Sequence, residues 1–205
     1  SVGNLSLFVI DAFDKVDPVT GEMIPPHTDE YRLANHLWWA AKRRVRLFAA
    51  RNETISFQLV TTGKTKDLQA TVEFTDEEGA SPAPELFAFR YVKGKDGRLL
   101  PDPLVPFDKP LQVPSGDSRL SHQNHASIIV DIHVPKSTRP GLHKGKLTVT
   151  SNDESLNIDI VMQVWNFTVP DKLSFIPQMD GCGRVPEKNY ELEYYRLAHK
   201  HRTCL

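Results

Sequence analysis

The sequence has 205 residues, 40% hydrophobic and 25% charged, with 25 Lys and Arg against 26 Asp and Glu for a formal net charge of -1. This is ordinary globular composition, which excludes collagen, coiled coil and wholesale disorder; with no long block of like charge, no nucleic-acid partner is expected. No apolar run approaches the roughly 20 residues that span a bilayer, so no membrane insertion is expected, and the length does not hold a (β/α)8 barrel of about 250 residues beside another domain.

Fifteen Pro and 11 Gly punctuate short apolar runs, the pattern of many strands joined by turns. The first residues, 1–4, lack the basic and apolar regions of a signal peptide, as a mature secreted protein also would, so secretion stays open. Strands are predicted over 4–10, 45–49, 55–61, 70–74, 87–92, 126–134, 144–150 and 156–169, enough for a sandwich. One short helix is predicted over 28–37, with Thr28 as its cap and Asp29 and Glu30 in its first turn. The stretches 75–85 and 93–117, rich in Gly, Pro and charge, read as loops that either cover sheet edges or bind.

Within these elements some residues stand out. Between the strands at 45–49 and 55–61, Asn52 suits turn geometry, and Arg51 paired with Glu53 would brace the connection, with Gln58 joining them. Ile128, Val130, Ile132 and Val134 alternate with Ile129, Asp131 and His133, which turns His133 to solvent. Pro140 and Gly141 set a turn, and Gly145 lets the following strand lie close to a neighbour. From Leu156 through Ile158, Ile160, Met162 and Val164 one face is apolar, then Trp165, Phe167 and Val169 take the opposite parity. A bulge or a departure from the sheet accommodates that flip, which reads as a domain edge. Trp165 and Phe167 are read as area for a domain interface in preference to sugar stacking.

After Val169 the pattern changes. Residues 173–179 read as a strand, 181–183 as a turn, 189–201 as a helix with Leu192, Tyr195, Leu197 and Ala198 on its apolar side, and 203–205 as the start of another strand. A unit of this kind cannot bury both sides of its sheet alone and needs further partners. Cys182 and Cys204 are too few for a disulfide framework and read either as one bridge or as two free thiols. The histidine pairs His122/His125 and His199/His201 lack a third ligand at a metal-site spacing, so no metal is expected. No phosphate-cradling Gly loop or nucleotide fingerprint is present, so no cofactor is expected either.

Four stretches carry a family resemblance: VRLFAARNETISFQLV at 45–60, IIVDIHVPKSTRPGLHKGKLTV at 128–149, VWNFTVPDKLSF at 164–175 and YYRLAHKHRTCL at 194–205. Together and in this order they resemble the N-terminal β-sandwich and first barrel unit of glycoside hydrolase family 123 and its bacterial relatives. The resemblance implies a mainly β fold: a two-sheet antiparallel β-sandwich over 1–170 as accessory domain, then over 171–205 the first βα unit of an incomplete (β/α)8 barrel catalytic domain. It implies a parent that removes terminal β-linked N-acetylgalactosamine by substrate assistance, the sugar's acetamido group attacking while an Asp and a Glu orient it and act as acid and base. Those acids belong to a later barrel strand, so no catalytic residue is carried over, and this chain alone is expected not to be catalytic.

Gln178 and Asp180, at the carboxyl end of the first barrel strand, are the candidate substrate-binding residues, placed to hydrogen-bond sugar hydroxyls. For Asp180, capping the turn before the helix is an equal alternative. The partner implied is a glycan or N-acetylhexosamine bound through the barrel, and the location implied is extracellular or periplasmic. A second reading makes the sandwich a stand-alone carbohydrate-binding or adhesion module, with Trp38, Trp39, Tyr91 and the 93–117 loop as its platform.

Overall fold

A strand's period of two puts every second side chain on one face, so runs that alternate apolar and polar residues settle with the apolar set inward. The computed structural model describes residues 1–2, 4–75, 80–172 and 190–201. The chain divides into two compact units, Ser1–Val169 and Pro170–Leu205.

The first unit is mainly β. Its strands are β1 (Ser6–Asp11), β2 (Lys15–Val16), β3 (Met23–Ile24), β4 (Trp38–Trp39), β5 (Arg44–Arg51), β6 (Glu53–Thr62), β7 (Thr65–Phe74), β8 (Ala83–Lys93), β9 (Leu99–Pro106), β10 (Leu111–Val113), β11 (His125–Val134), β12 (Gly141–Ser151) and β13 (Glu154–Thr168). One sheet runs β1-β6-β11-β8-β9, a second runs β10-β7-β12-β13-β5-β4, and β2 pairs with β3 apart from both. Phe57, Leu59 and Ile128 from the first sheet and Leu47, Leu147 and Ile158 from the second belong to one shared buried cluster. Truncating any of these to Ala costs about 2 to 5 kcal/mol, because the lost transfer energy adds to the cavity left behind.

The first sheet is antiparallel throughout, but in the second β13 and β5 run parallel, with Ile160 opposite Val45 and Val164 opposite Ala49. The expectation of a wholly antiparallel sandwich is corrected at this pair. No hairpin joins these two strands, so no tight turn dictates their relative direction.

Asn52 is the corner at which the chain leaves the second sheet and enters the first. Its φ is 61°, its N–H donates to Val134 O at 2.6 Å, and its amide Nδ2 donates to Val169 O at 2.7 Å. The turn role expected of Asn52 is thus met, but the brace around it is different. Glu53 accepts from the backbone N–H of Ala50 at 2.6 Å, and Arg51 reaches Asn166 at 3.5 Å. Gln58 lies on the inner side of β6 and donates to Asp14 O at 2.8 Å, tying β6 to the chain after β1. Alternation along β6 separates Gln58 from the corner.

Close approach explains Gly145. A β-carbon there would lie 2.9 Å from Glu73 O and from the Phe74 ring on the adjacent β7. His133 faces outward as expected, its ring Nδ1 3.3 Å from Thr54 Oγ1.

Two expectations fail for tertiary reasons. In place of a helix over 28–37 there is a single 3-10 turn, Asp29–Arg32, followed by an irregular crossing. Asn35 reroutes the chain: its Oδ1 accepts from the N–H groups of Leu37 and Trp38, and its Nδ2 donates to Val9 O and Tyr31 O. In place of a loop over 93–117 stand β9 and β10, each the edge strand of its sheet. Prolines 101, 103 and 106 gave this stretch a loop signature, yet an edge strand tolerates them because its outward N–H groups need no partner.

The phase change at Trp165 falls where the pairing of β13 with β5 shifts register, between Val164 and Thr168, so an irregularity of the strand accommodates it, as the sequence allowed. Burial alternates from Leu156 to Val164, and Trp165 to Thr168 then run exposed past the last residue paired with β12. The strand outlasts the core beneath it. In the second unit, α1 (Glu191–Lys200) is described and agrees with the expected helix. The expected strands at 173–179 and 203–205, the turn at 181–183, Cys182 and Cys204 lie outside the described residues.

Candidate functional site: an exposed aromatic face

Along β5, Val45, Leu47 and Ala49 point into the core, which leaves Arg44, Arg46 and Phe48 on the outer surface of the second sheet. The parallel register sets Gln163 opposite Phe48, so the next outward residues of β13, Trp165 and Phe167, continue the same surface. The Phe48 and Trp165 rings are 6.1 Å apart at 31°, and those of Trp165 and Phe167 are 5.8 Å apart at 21°. The Arg46 guanidinium sits 5.4 Å from the Phe48 centroid. At the sheet edge Lys42 stands 4.0 Å over the Trp39 ring, and Leu142 adds an exposed aliphatic side chain opposite Gln163.

Phe48, Trp165 and Phe167 are 47%, 46% and 52% exposed. Full burial of one large apolar side chain yields roughly 1.5 to 3 kcal/mol, so covering the exposed half of all three would yield roughly 2 to 4 kcal/mol. Contiguous exposed apolar surface flanked by cations is the signature of an interaction site, with the rings supplying area and the cations orientation. Arg44 and Asp159, 3.6 Å apart and both well exposed, contribute little to its stability.

Trp165 and Phe167, singled out in the sequence as interface residues, are thus brought together. Phe48 was missed because it sits in a run that reads as a core strand. Its parity with Arg44 and Arg46 is the signal that would have found it. The alternative platform does not assemble: Trp38 is buried in the core, Tyr91 is buried on β8 of the opposite sheet, and Trp39 alone turns outward. Gln178 and Asp180 lie outside the described residues.

A second polar cluster lies at the end of β1. The buried Asp14 carboxylate accepts from Tyr31 Oη at 2.8 Å and from His27 Nε2 at 3.1 Å, and the His27 and Tyr31 rings stack 3.8 Å apart. Burial, together with the Asp14 bond, pushes the Tyr31 phenol up to about 12. All three groups are engaged with one another, which makes the cluster a strap holding the 29–32 turn against β1. Among the described residues no group of three or more His, Cys, Asp or Glu is placed to hold a metal ion, and no helix is long and apolar enough to cross a membrane.

No protein-family description matches the chain, and no curated protein matches it. Among solved structures, the CooA pilin subunit from enterotoxigenic Escherichia coli aligns at 11% identity over 80% of this chain and 99% of that one, with a TM-score of 0.31. The C-terminal domain of the AgI/II polypeptide BspA from Streptococcus agalactiae aligns at 10% identity over 77% and 49%, with a TM-score of 0.28. Neither superposition is close enough to support an inference. A family 123 glycoside hydrolase from Clostridium perfringens, described for glycolipid glycan hydrolysis, aligns at 15% identity with a TM-score of 0.58. The alignment covers 82% of this chain and 28% of that one, so the chain is similar in fold to a part, under a third, of that hydrolase.

Proposed function

We propose that this chain is the accessory β-sandwich portion of a larger glycoside-hydrolase-like protein, whose sandwich docks on the catalytic domain through Phe48, Trp165 and Phe167. The observation that carries the reading is the aromatic row at the far end of β13, immediately before the chain passes to Pro170. A strand that outlasts its own core and exposes two large rings is suited to packing against a neighbouring domain. The fold likeness to part of a family 123 hydrolase supports the same assignment.

On this reading 1–170 is the accessory domain and 171–205 the opening βα unit of a barrel. Gln178 and Asp180 hydrogen-bond the sugar at the carboxyl end of that unit's strand, and the acid and base lie elsewhere in the parent. The substrate is a glycan ending in β-linked N-acetylgalactosamine, cleaved with its own acetamido group as nucleophile.

The test is an assay with an aryl N-acetyl-β-galactosaminide, run on this chain and on the product of the complete gene. Turnover by the complete protein alone, reduced by Asp180→Ala, is expected. Turnover by the 205-residue chain itself, abolished by Asp180→Ala, would overturn the accessory assignment.

A further inference from the structure

The two sheets end side by side at β9 and β10, and residues 107–110 carry the chain from one edge to the other. A groove of about 550 Å³ opens along this crossing. Three cations from three different elements line it: Lys66 of β7, Arg90 of β8 and Lys109 of the crossing itself. All three are exposed, and none has a hydrogen bond or ion pair with the described residues. Asp108 is the one carboxylate in the lining, so the groove carries a net positive charge in a chain whose total is -1.

The groove runs into a smaller cavity of about 90 Å³ that shares Arg90, Leu111, Gln112 and Ser115 with it. There Arg119 is neutralised by both oxygens of Asp117, the shortest contact being 2.6 Å, which leaves the shared Arg90 as the unpaired charge among the described residues. Gln123 is also spoken for, accepting from Ser115 N at 2.9 Å and donating to His125 O at 2.9 Å. The Ser115 hydroxyl, by contrast, is buried without a partner. A buried hydroxyl left unpaired costs about 1 to 3 kcal/mol, which a ligand group reaching it would offset.

We infer that this groove binds an anionic saccharide. Its volume lies within the roughly 300 to 1,000 Å³ of small-molecule sites, far more than a lone inorganic anion fills. Cations spread over three elements suit a ligand with acidic groups on a rigid frame. Phe107 and Leu111 between them offer an apolar surface to the C–H face of a sugar ring, and Ser115 meets a ring hydroxyl. An acidic peptide would bind such an edge by adding a strand, but Pro101, Pro103 and Pro106 deprive β9 of the N–H groups that strand addition needs. Nucleic acid wants a longer basic stripe and several stacking rings, and Phe107 is the one aromatic side chain in this lining. The site is independent of the docking face and does not require the accessory assignment.

Isothermal titration of the 205-residue chain tests it with five probes: a chondroitin sulfate tetrasaccharide, an unsulfated hyaluronan tetrasaccharide, cellotetraose, inorganic sulfate and a poly-Glu peptide. Saturable binding of either acidic tetrasaccharide, weakening with added salt, is expected, and the tighter of the two tells a sulfate-reading from a carboxylate-reading site. The triple variant Lys66→Gln, Arg90→Gln, Lys109→Gln should weaken that binding at least tenfold. Lys146→Gln, outside the groove, should not change it, and circular dichroism verifies that both variants fold. Ser115→Ala should weaken binding without altering its salt dependence. Equal affinity for cellotetraose, sulfate or poly-Glu, or an unchanged affinity in the triple variant, would overturn the assignment.

Discussion

The ring of His125 stands where a β-carbon on residue 21 would be. An ideal Cβ built on Gly21 would lie 2.5 Å from His125 Nε2 and 2.7 Å from its Cε1, and the φ of Gly21 is +75°. The loop between β2 and β3 is therefore pressed against the first residue of β11. Gly21→Ala should cost more than the roughly 1 to 2 kcal/mol of left-handed backbone alone, since the buried imidazole must also move. Denaturant unfolding of Gly21→Ala, His125→Ala and the double variant measures both parts. Strongly non-additive losses are expected, and strict additivity would mean that the two residues do not clash.

The corner at Asn52 separates backbone strain from hydrogen bonding. Asn52→Gly keeps the positive φ and the bond to Val134 O but removes the Nδ2 bond to Val169 O, a loss of about 1 kcal/mol. Asn52→Ala removes the same bond and adds a conformation that Ala resists, for a total of about 2 to 3 kcal/mol. Equal losses for the two variants, read from urea midpoints, would show that the corner relaxes out of its left-handed geometry.

Stability should fall at both ends of the pH range, for opposite reasons. Burial pushes the Tyr91 phenol from 10 up to about 12. Below pH 10 the phenol is neutral in folded and unfolded chains alike, whereas between 10 and 12 only the unfolded chain ionises. The contribution is thus present at neutral pH and lost as pH rises through that window, on the order of 2 to 3 kcal/mol. His125 is held below its ordinary 6.5 by burial and then by the nearby Arg32 charge. Its contribution is present above about pH 6.5 and lost as pH falls below it, where the unfolded chain protonates first. Tyr91→Phe should make the alkaline limb of a stability profile shallower, leaving the share due to Tyr31, whose phenol is also raised to about 12, and leave the acid limb unchanged. A variant profile that falls as steeply as the parent's above pH 10 would remove Tyr91 as the cause.

How much of this was legible in the sequence depends on how local the signal is. The long strands were legible because Leu156, Ile158, Ile160, Met162 and Val164 state their own period, and the same holds for Ile128 to Val134. The stretch from Thr28 was misread because the bonds that unmake a helix there come from Asn35 and from Val9 on β1, which no local pattern announces. The strand β9 was hidden by prolines whose tolerance depends on lying at a sheet edge, a tertiary fact. Two of the three rings of the aromatic face, Trp165 and Phe167, were visible in their parity. Phe48 joined them only through the parallel pairing of β5 with β13, two strands far apart in sequence. The basic groove was invisible for the same reason: Lys66, Arg90 and Lys109 meet because two sheet edges do.

The aromatic face makes a prediction that depends on context. In the 205-residue chain, Trp165→Ser and Phe167→Ser remove side chains already about half exposed, 46% and 52%, from beyond the end of the core. Each should cost no more than about 1 kcal/mol, because little apolar area returns to water. Sedimentation velocity should also show less self-association, since an exposed apolar row promotes contact between copies. On the proposed docking to a catalytic domain, the same substitutions in the larger parent protein should cost roughly twice as much or more, each leaving a polar hydroxyl and a void inside an interface. Arg46, which lies over Phe48, provides a graded control: Arg46→Ala trims the edge of the patch without opening its centre. Identical losses in the short chain and the complete protein would mean that Phe48, Trp165 and Phe167 stay in water in both, and the docking role would fall with that result.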